Sequence, residues 1–132
     1  AFREHGISFD PETDCETVRY TCPDGYKAAR QLLERSRGFT AIFAMSDVMA
    51  IGAIRALHNN GLRVPQDVSV MGFDGLTVGE YTVPTLSTIR QSVEAMAQRS
   101  VDILLENIGQ TQPARYETVP FFVELRESTE RK

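Results

Sequence analysis

Four polar or aromatic side chains stand where short apolar runs of this chain end: Tyr20, Ser46, Asp47 and Asp74. A tyrosine offers an aromatic face and a phenolic hydroxyl, a serine offers a hydroxyl, and a carboxylate accepts several hydrogen bonds. A ring against C–H faces, with a carboxylate bridging adjacent hydroxyls, suits a sugar-like ligand. Each residue also has a structural interpretation. Ser46 or Asp47 can cap a helix, Asp74 can form a turn, and Tyr20 can lie in a core.

Complete catalytic sets are missing from the sequence. Ser46 has no G-x-S-x-G context, and no G-x-x-x-x-G-K phosphate loop occurs. We therefore predict that the protein is not an enzyme and needs no cofactor. The alternative is an α/β enzyme that uses Asp47 and Asp74 as acid and base.

The two cysteines do not form a metal site. Cys15 and Cys22 are the only cysteines, and no further cysteine or closely spaced histidine pair completes a ligand set. We predict no metal and interpret both residues as reduced thiols of a cytoplasmic protein. A local disulfide is the alternative.

The elements that must position these groups alternate along the chain. We predict strands at residues 16–20, 40–44, 68–73, 86–89 and 118–125, and helices at residues 25–37, 48–59 and 93–108. The runs 40–44 and 68–73 are almost continuously apolar, which is typical of parallel strands buried on both faces. The predicted fold is therefore α/β, with a mainly parallel sheet flanked by helices, and its ligands bind beyond the carboxyl ends of the strands.

Several single residues refine this prediction. Asp24 is expected to cap the first helix, and Gly52 inside the second marks close packing. Pro120 restricts the start of the last strand to an edge or bulge. Gly109 closes the apolar stripe of the third helix, and residues 126–132 form a charged tail.

Composition limits the kinds of partner. The chain has 132 residues with 14 basic and 18 acidic ones, a net charge of −4. Its length indicates one domain. No apolar run approaches the roughly 20 residues of a membrane span, so no membrane partner is expected. An acidic chain without a basic block binds nucleic acid poorly by itself. Because Ala1 stands first and no leader follows, we interpret the chain as a segment of a longer protein.

Three motifs in fixed order carry a family resemblance. Residues 46–53 follow the pattern (N/S/T)-D-x-M-A-x-G-(A/V). Residues 61–74 follow G-L-x-(V/I)-P-x-D-(V/I)-(S/A)-(V/I)-x-G-(F/Y)-D, and residues 84–89 follow P-x-L-(S/T)-(S/T)-(I/V). The letters REST at residues 126–129 fit the usual family ending. With these motifs the chain strongly resembles the LacI/GalR (lactose-repressor) family of bacterial transcription regulators.

The resemblance implies a domain arrangement. Members of the family are similar to periplasmic sugar-binding proteins, with two α/β subdomains, a ligand in the cleft between them and a helix-turn-helix domain in front. Residues 1–132 would then be part of the effector domain. Residues 1–90 would form the C-terminal subdomain, residues 91–120 a helix and strand that complete an absent N-terminal subdomain, and residues 121–132 the terminal strand and tail. Operator DNA would be bound only through the absent helix-turn-helix.

The resemblance also implies residue roles. Asp74 matches the family's ligand-contacting aspartate, Ser46 a position that touches ligand, and Tyr20 an aromatic residue that stacks on it. The second helix and the loop 78–84 match dimerisation surfaces, which implicates Ala50, Ile51, Ile54 and Tyr81.

Together these inferences predict the effector-binding, dimerising portion of a bacterial repressor. It would respond by cleft closure to a small molecule, which could be a sugar, a sugar phosphate or a nucleoside-like compound. The alternative is a solute-binding protein of a sugar transport system. Because the stripe of helix 93–108 would lack its native cover, we also expect the chain to self-associate or to swap this helix between copies.

Overall fold

The βαβ unit predicted between residues 40 and 73 forms the centre of the fold. The computed structural model describes residues 2–35, 38–108 and 116–130. Its strands are β1 (Ala41–Phe43), β2 (Ser69–Asp74), β3 (Ser87–Gln91) and β4 (Phe121–Glu124), and its helices are α1 (Cys22–Arg35), α2 (Asp47–Asn59) and α3 (Val93–Asn107). Short 3-10 helices occupy Arg3–His5 and Thr77–Tyr81.

One four-stranded sheet has the order β1-β2-β3-β4. The first three strands are parallel and β4 runs antiparallel to β3. The predicted α/β class with a mainly parallel sheet is therefore confirmed. The core lies on the α2 side of this sheet, where Leu57, Val70 and Leu86 are fully buried.

Two glycines bring α1 and α2 into close contact. A Cβ atom on Gly52 would lie 2.1 Å from the carbonyl oxygen of Cys22, and one on Gly25 would lie 2.3 Å from the carbonyl oxygen of Met49. No side chain fits in those gaps, so the packing predicted from Gly52 is confirmed. Since Gly25 meets the first turns of α2, the two helices begin side by side.

The start of α1 differs from the prediction. The helix begins at Cys22, and its cap is Thr21, whose Oγ1 accepts from the Asp24 backbone N–H at 3.1 Å and donates to Asp24 Oδ2 at 2.7 Å. Asp24 is therefore the third residue of the helix, where its side chain and backbone both bond to Thr21, and it is not the N-cap. Pro23 fits in the first turn because no intrahelical partner is available to a backbone N–H there.

The strand predicted at residues 16–20 is wrong, since these residues are irregular. A strand requires a neighbour for its backbone groups, and among the described strands β1 pairs with β2 alone. The remaining predicted strands and helices occur with shifts of a few residues at their ends. The predicted helix end at Arg37, the closing Gly109 and the loop 109–115 lie outside the described residues.

The charged tail predicted from residue 126 is also wrong in part. Ser128 is fully buried between β2 and β3. Its Oγ donates to the Val70 carbonyl oxygen at 2.6 Å and accepts from the Ser87 backbone N–H at 2.8 Å. Its own backbone carbonyl accepts from the Val70 N–H at 2.8 Å. Ser128 thus supplies hydrogen-bond partners to β2 and β3 at the end of the sheet where these two strands do not bond to each other.

Helix α3 stands apart from this core, because none of its residues is buried. Its apolar stripe is exposed, with Leu104 at 67% and Leu105 at 63% of full accessibility. Within residues 2–35, 38–108 and 116–130, no helix has the length and apolarity that crossing a bilayer requires.

Candidate functional site

The carboxyl edge of the sheet gathers the three side chains predicted to bind ligand. Ser46 follows β1, and Asp74 is the last residue of β2. Tyr20 lies just before α1, whose first turns are beside those of α2 at this same edge. The structure thus brings all three residues to one end of the fold: Ser46 and Asp74 through the ends of parallel strands, and Tyr20 through the start of α1.

Asp74 has an unusual backbone. Its φ is +117°, and that of the following Gly75 is +80°. A non-glycine residue in such a region costs of order 1–3 kcal/mol and occurs where a ligand clamp or turn requires it. The strain has a geometric purpose here, because it redirects the carboxylate at the end of β2.

Gln91 holds this carboxylate. Its Nε2 donates to Asp74 Oδ1 at 2.9 Å. Strand alternation would place Asp74 on the same face of the sheet as Gly72, and this face borders α2. Gln91 lies on the opposite face, together with Ile89. The positive φ therefore lets the Asp74 carboxylate reach a partner across the sheet edge. A carboxylate that accepts one bond at Oδ1 retains acceptor capacity for hydroxyl donors.

Sequence reasoning assigned no role to Gln91. The residue stands at the end of β3, two strands from β1, and its partner is 17 positions earlier in the chain. Its place at a strand end was visible in the sequence, but the bond to Asp74 depends on a backbone angle that residue types alone do not specify.

Ser46 and Tyr20 differ in their surroundings. Ser46 is buried at 3% exposure and occupies the N-cap position of α2, but its side chain makes no capping hydrogen bond. The structural interpretation of Ser46 as a side-chain cap is therefore wrong. Tyr20 is 65% exposed, so its ring does not belong to the core.

Asp47 is a structural residue. It is fully buried; its Oδ1 accepts from Thr88 Oγ1 at 2.6 Å, and its Oδ2 accepts from the Leu76 backbone N–H at 2.6 Å. A Cβ on Gly72 would lie 2.2 Å from Oδ1, so this glycine makes room for the carboxylate. Both oxygens are committed to joining α2, β3 and the segment after β2, and the predicted capping role of Asp47 is wrong. This arrangement gives no support to an acid–base pair with Asp74.

The four residues predicted at a dimer interface divide into two pairs. Ala50 is fully buried and Ile54 is 8% exposed, both inside the core cluster. They cannot present area to another chain, and for these two the structure corrects the expectation. Helices pack their apolar faces inward first, and α2 uses these positions for the sheet. Ile51 is half-buried, and Tyr81 is 81% exposed on the 3-10 helix Thr77–Tyr81.

An ion cluster ties that 3-10 helix to the sheet. Arg90 pairs with Glu124 and Glu80, and Arg126 pairs with the same two carboxylates. Hydrogen bonding from Arg90, reinforced by the charges of both arginines, lowers the pKa of Glu124 below its ordinary value although partial burial opposes the shift. The same bonds raise the pKa of Arg90. The cluster thus stabilises the exposed segment that carries Tyr81.

Two further predictions concern metal binding and the cysteines. In the described part of the chain, no three histidine, cysteine, aspartate or glutamate side chains converge where a metal ion could bind. Cys15 and Cys22 are both free and exposed, so the alternative of a local disulfide is wrong for this structure.

Comparison with known proteins identifies the family to which the chain is similar. A periplasmic binding protein-like domain family matches residues 1–129. The HTH-type transcriptional regulator MalR of Clostridium butyricum is 40% identical over 108 residues, which are 82% of this chain and 32% of that protein. The chain therefore spans about a third of the length of this curated relative.

Solved structures show the same fold. A transcriptional regulator CelR–cellobiose complex superposes with a TM-score of 0.88 at 33% identity and covers 96% of this chain and 39% of its own. A LacI family transcriptional regulator from Arthrobacter sp. FB24 in complex with lactose gives a TM-score of 0.80 at 31% identity, covering 98% of this chain and 47% of its own.

Proposed function

Since the chain belongs to the LacI family of transcription regulators, within their periplasmic binding protein-like domain, we propose that it forms one wall of a site for a sugar-like effector. One observation carries the proposal: the carboxylate of Asp74, turned by a positive φ and held by Gln91, at the sheet edge where Ser46 and Tyr20 also lie. Backbone strain of this kind occurs at ligand clamps as well as at turns, and it supports the proposal because it turns the carboxylate toward the sheet edge.

The chemistry of the edge suits a sugar. A carboxylate bridges adjacent hydroxyl donors, and charge-assisted hydrogen bonds of this kind are about twice as strong as neutral ones. The exposed Tyr20 ring offers a flat apolar surface for C–H faces, and the Ser46 hydroxyl adds a polar contact. Relatives solved with cellobiose and with lactose support a sugar, while sugar phosphates and nucleoside-like molecules remain in the same proposed class.

The regulatory mechanism that we propose is cleft closure in the cytoplasm. The second wall and the operator-binding helix-turn-helix would belong to a longer protein, in which residues 1–90 form the C-terminal subdomain. Residues 91–120 would cross back to the N-terminal one, and residues 121–132 would return. An effector shifts the equilibrium between the open and the closed cleft only by its differential affinity for these two states. A homodimer formed through Ile51 and Tyr81 would pass the change to the DNA-binding heads. The protein would itself catalyse no reaction. MalR, a regulator, supports this role over a transport solute-binding protein.

Titration followed by amide chemical shifts tests the site on the 132-residue chain, because this method detects weak binding. The probes are cellobiose, lactose, glucose 6-phosphate and adenosine. We expect one probe to shift the amides of Gly75 and Gln91 and the ring protons of Tyr20. Asp74→Asn should weaken that binding at least tenfold, since asparagine tolerates the positive φ and still accepts from Gln91 but lacks the charge.

A matched control lies at the opposite edge. Asp67 is bonded to Arg63 just before β2, at the end of this strand opposite to Asp74, and Asp67→Asn should leave the binding unchanged. The proposal fails if no probe shifts these signals at about 50 mM, a concentration at which even a very weak sugar complex is populated. It fails equally if Asp74→Asn binds as tightly as the wild type.

A further inference from the structure

The turn that carries the Asp74 carboxylate rests on the side chain of Arg90. The sheet register pairs Arg90 with Asp74, so Gly75, the next residue of the turn, lies beside Arg90. A Cβ atom on Gly75 would lie 2.6 Å from Arg90 Cγ and 2.7 Å from Arg90 Cβ. The aliphatic part of Arg90 is therefore packed against the Gly75 backbone, with no space for another side chain between them.

The guanidinium group of Arg90 is fixed by two carboxylates. Its Nε and Nη2 donate to the two carboxylate oxygens of Glu124 in β4, and the bond from Nη2 measures 3.0 Å. Nη2 also donates to Glu80 Oε1 at 3.3 Å, in the 3-10 helix that follows the turn. Arg126 donates to the same two glutamates. Because a two-point bond between arginine and carboxylate fixes orientation, the aliphatic part of Arg90 has little freedom to move away from Gly75.

Two consecutive residues of β3 hold the turn from opposite faces of the sheet. Arg90 lies on the face that borders α2, and Gln91 lies on the other face. Gln91 binds the Asp74 carboxylate, whereas Arg90 supports the backbone of Gly75. The direction of the carboxylate thus depends on both residues, although it is Gln91 that bonds to it.

We propose that Arg90 is a positioning residue for the effector site, which holds the turn after β2 so that the Asp74 carboxylate stays directed toward the sheet edge. This inference rests on the proposed function, because it concerns the affinity of the same site. Arg90 acts through the Gly75 backbone, since its Nε and Nη2 are occupied by the glutamates of the ion cluster. A site that is ordered before its ligand arrives loses less entropy on binding, so a loosened turn should bind more weakly.

Arg90→Met tests the proposal on the 132-residue chain. Methionine keeps the Cβ and Cγ atoms beside Gly75 and removes the guanidinium group, so the anchor is lost without a gap at the turn. In titrations with cellobiose, lactose, glucose 6-phosphate and adenosine, we expect the Kd of the probe that binds to rise at least about threefold. Arg90→Lys keeps the charge but not the planar two-point bond, and its Kd should lie between those of the wild type and Arg90→Met.

The ligand-free protein supplies a second readout. In Arg90→Met, the side-chain amide signals of Gln91 should shift and exchange faster with water, because the bond to Asp74 is formed for less of the time. Glu124→Gln removes the charged partner of Arg90 and should shift the same signals in the same direction. This second variant tests the proposal even where Arg90→Met does not fold.

Arg99→Met is the matched control. Arg99 makes the same kind of two-point bond with Glu117, but it lies on α3, outside the sheet. Arg99→Met therefore removes an equivalent ion pair and should leave both the Kd and the Gln91 signals unchanged.

A double variant distinguishes positioning from a merely structural effect. If Arg90 acts through Asp74, Arg90→Met should add little to the weakening that Asp74→Asn causes, because residues that act through one another are not additive. Additive losses overturn the proposal. So does a folded Arg90→Met whose Kd and Gln91 signals match those of the wild type.

Failure of the proposed function has a different signature. If none of the four probes binds the wild type, the effector assignment fails, and the Gln91 signals of the ligand-free variants decide alone whether Arg90 holds the turn. Shifted signals in Arg90→Met and in Glu124→Gln, with none in Arg99→Met, support the positioning role. Unchanged signals in the first two variants, or an equal shift in all three, overturn it.

Discussion

Helices α2 and α3 are similar in length and both carry apolar residues at helical spacing, yet their environments are opposite. Seven residues of α2 are buried, including Asp47 and Leu57, while α3 has none. The contrast shows what an amphipathic pattern conveys. It states that one face of a helix favours an apolar partner, and it does not state whether the chain contains that partner.

The largest expected difference in the free energy of unfolding is between substitutions of two leucines, one in each helix. Leu57→Ala removes a fully buried side chain and should lower the free energy of unfolding by about 2–5 kcal/mol. Leu104→Ala removes an exposed one and should change it by less than about 0.5 kcal/mol. Urea unfolding at low micromolar concentration, where subunit contacts contribute least, measures both. Equal losses would mean that α3 has an intrachain partner after all.

A second pair contrasts two serine hydroxyls that each donate to a backbone carbonyl. Ser128→Ala leaves the buried Ser87 N–H and Val70 carbonyl without that partner and should cost about 1–3 kcal/mol. Ser100 Oγ donates to the Met96 carbonyl within exposed α3, and Ser100→Ala should be nearly neutral. Thermal unfolding of both variants provides the measurement. A neutral Ser128→Ala would show that residues 126–130 do not belong to the core.

The smallest expected effect concerns the acid sensitivity of the ion pair between Arg90 in β3 and Glu124 in β4. Because Arg90 lowers the pKa of Glu124 in the folded chain, the pairing stabilises the fold at neutral pH. That contribution should disappear as the pH falls below the ordinary carboxyl value of 4.5 and through the lowered pKa of Glu124.

Urea unfolding between pH 6 and pH 3, the range in which carboxylates titrate, measures this dependence. Glu124→Gln should flatten it, and 0.5 M salt should weaken it in the wild type. A residual slope is expected from Glu127, because its bonds with Thr85 also lower its pKa. A slope that Glu124→Gln leaves unchanged would assign the acid sensitivity to other groups.

The same contrast explains how much of the fold could be predicted. Elements β1, α2 and β2 form a unit of neighbouring segments, and their apolar patterns, the mid-helix Gly52 and the strand ends identified them. Local chemistry was less decisive at the start of α1, where Thr21 and Asp24 both carry side chains that can cap a helix. Only the geometry of the first turn selects Thr21.

Long-range partners could not be predicted from local pattern. Residues 16–20 have strand character but no neighbouring strand in the described chain, and Ser128 resembles a tail residue until β2 and β3 enclose it. In the candidate site, sequence placed Asp74 and Ser46 at the correct edge. The turn of the Asp74 carboxylate and its bond to Gln91 arise from a positive φ that ordinary residue preferences disfavour.

The insertion of Ser128 beside Val70 also determines an order of events during synthesis. The β2 carbonyl that Ser128 binds is made 58 residues before its partner. At roughly 5–20 residues per second, a ribosome needs about 3–12 s to synthesise that interval. During this time β1, β2 and α2 can assemble, but the sheet retains an unsatisfied gap. This gap therefore closes only after residue 128 has been made, and a nascent chain arrested before residue 128 should be more accessible to chaperones than one that includes it.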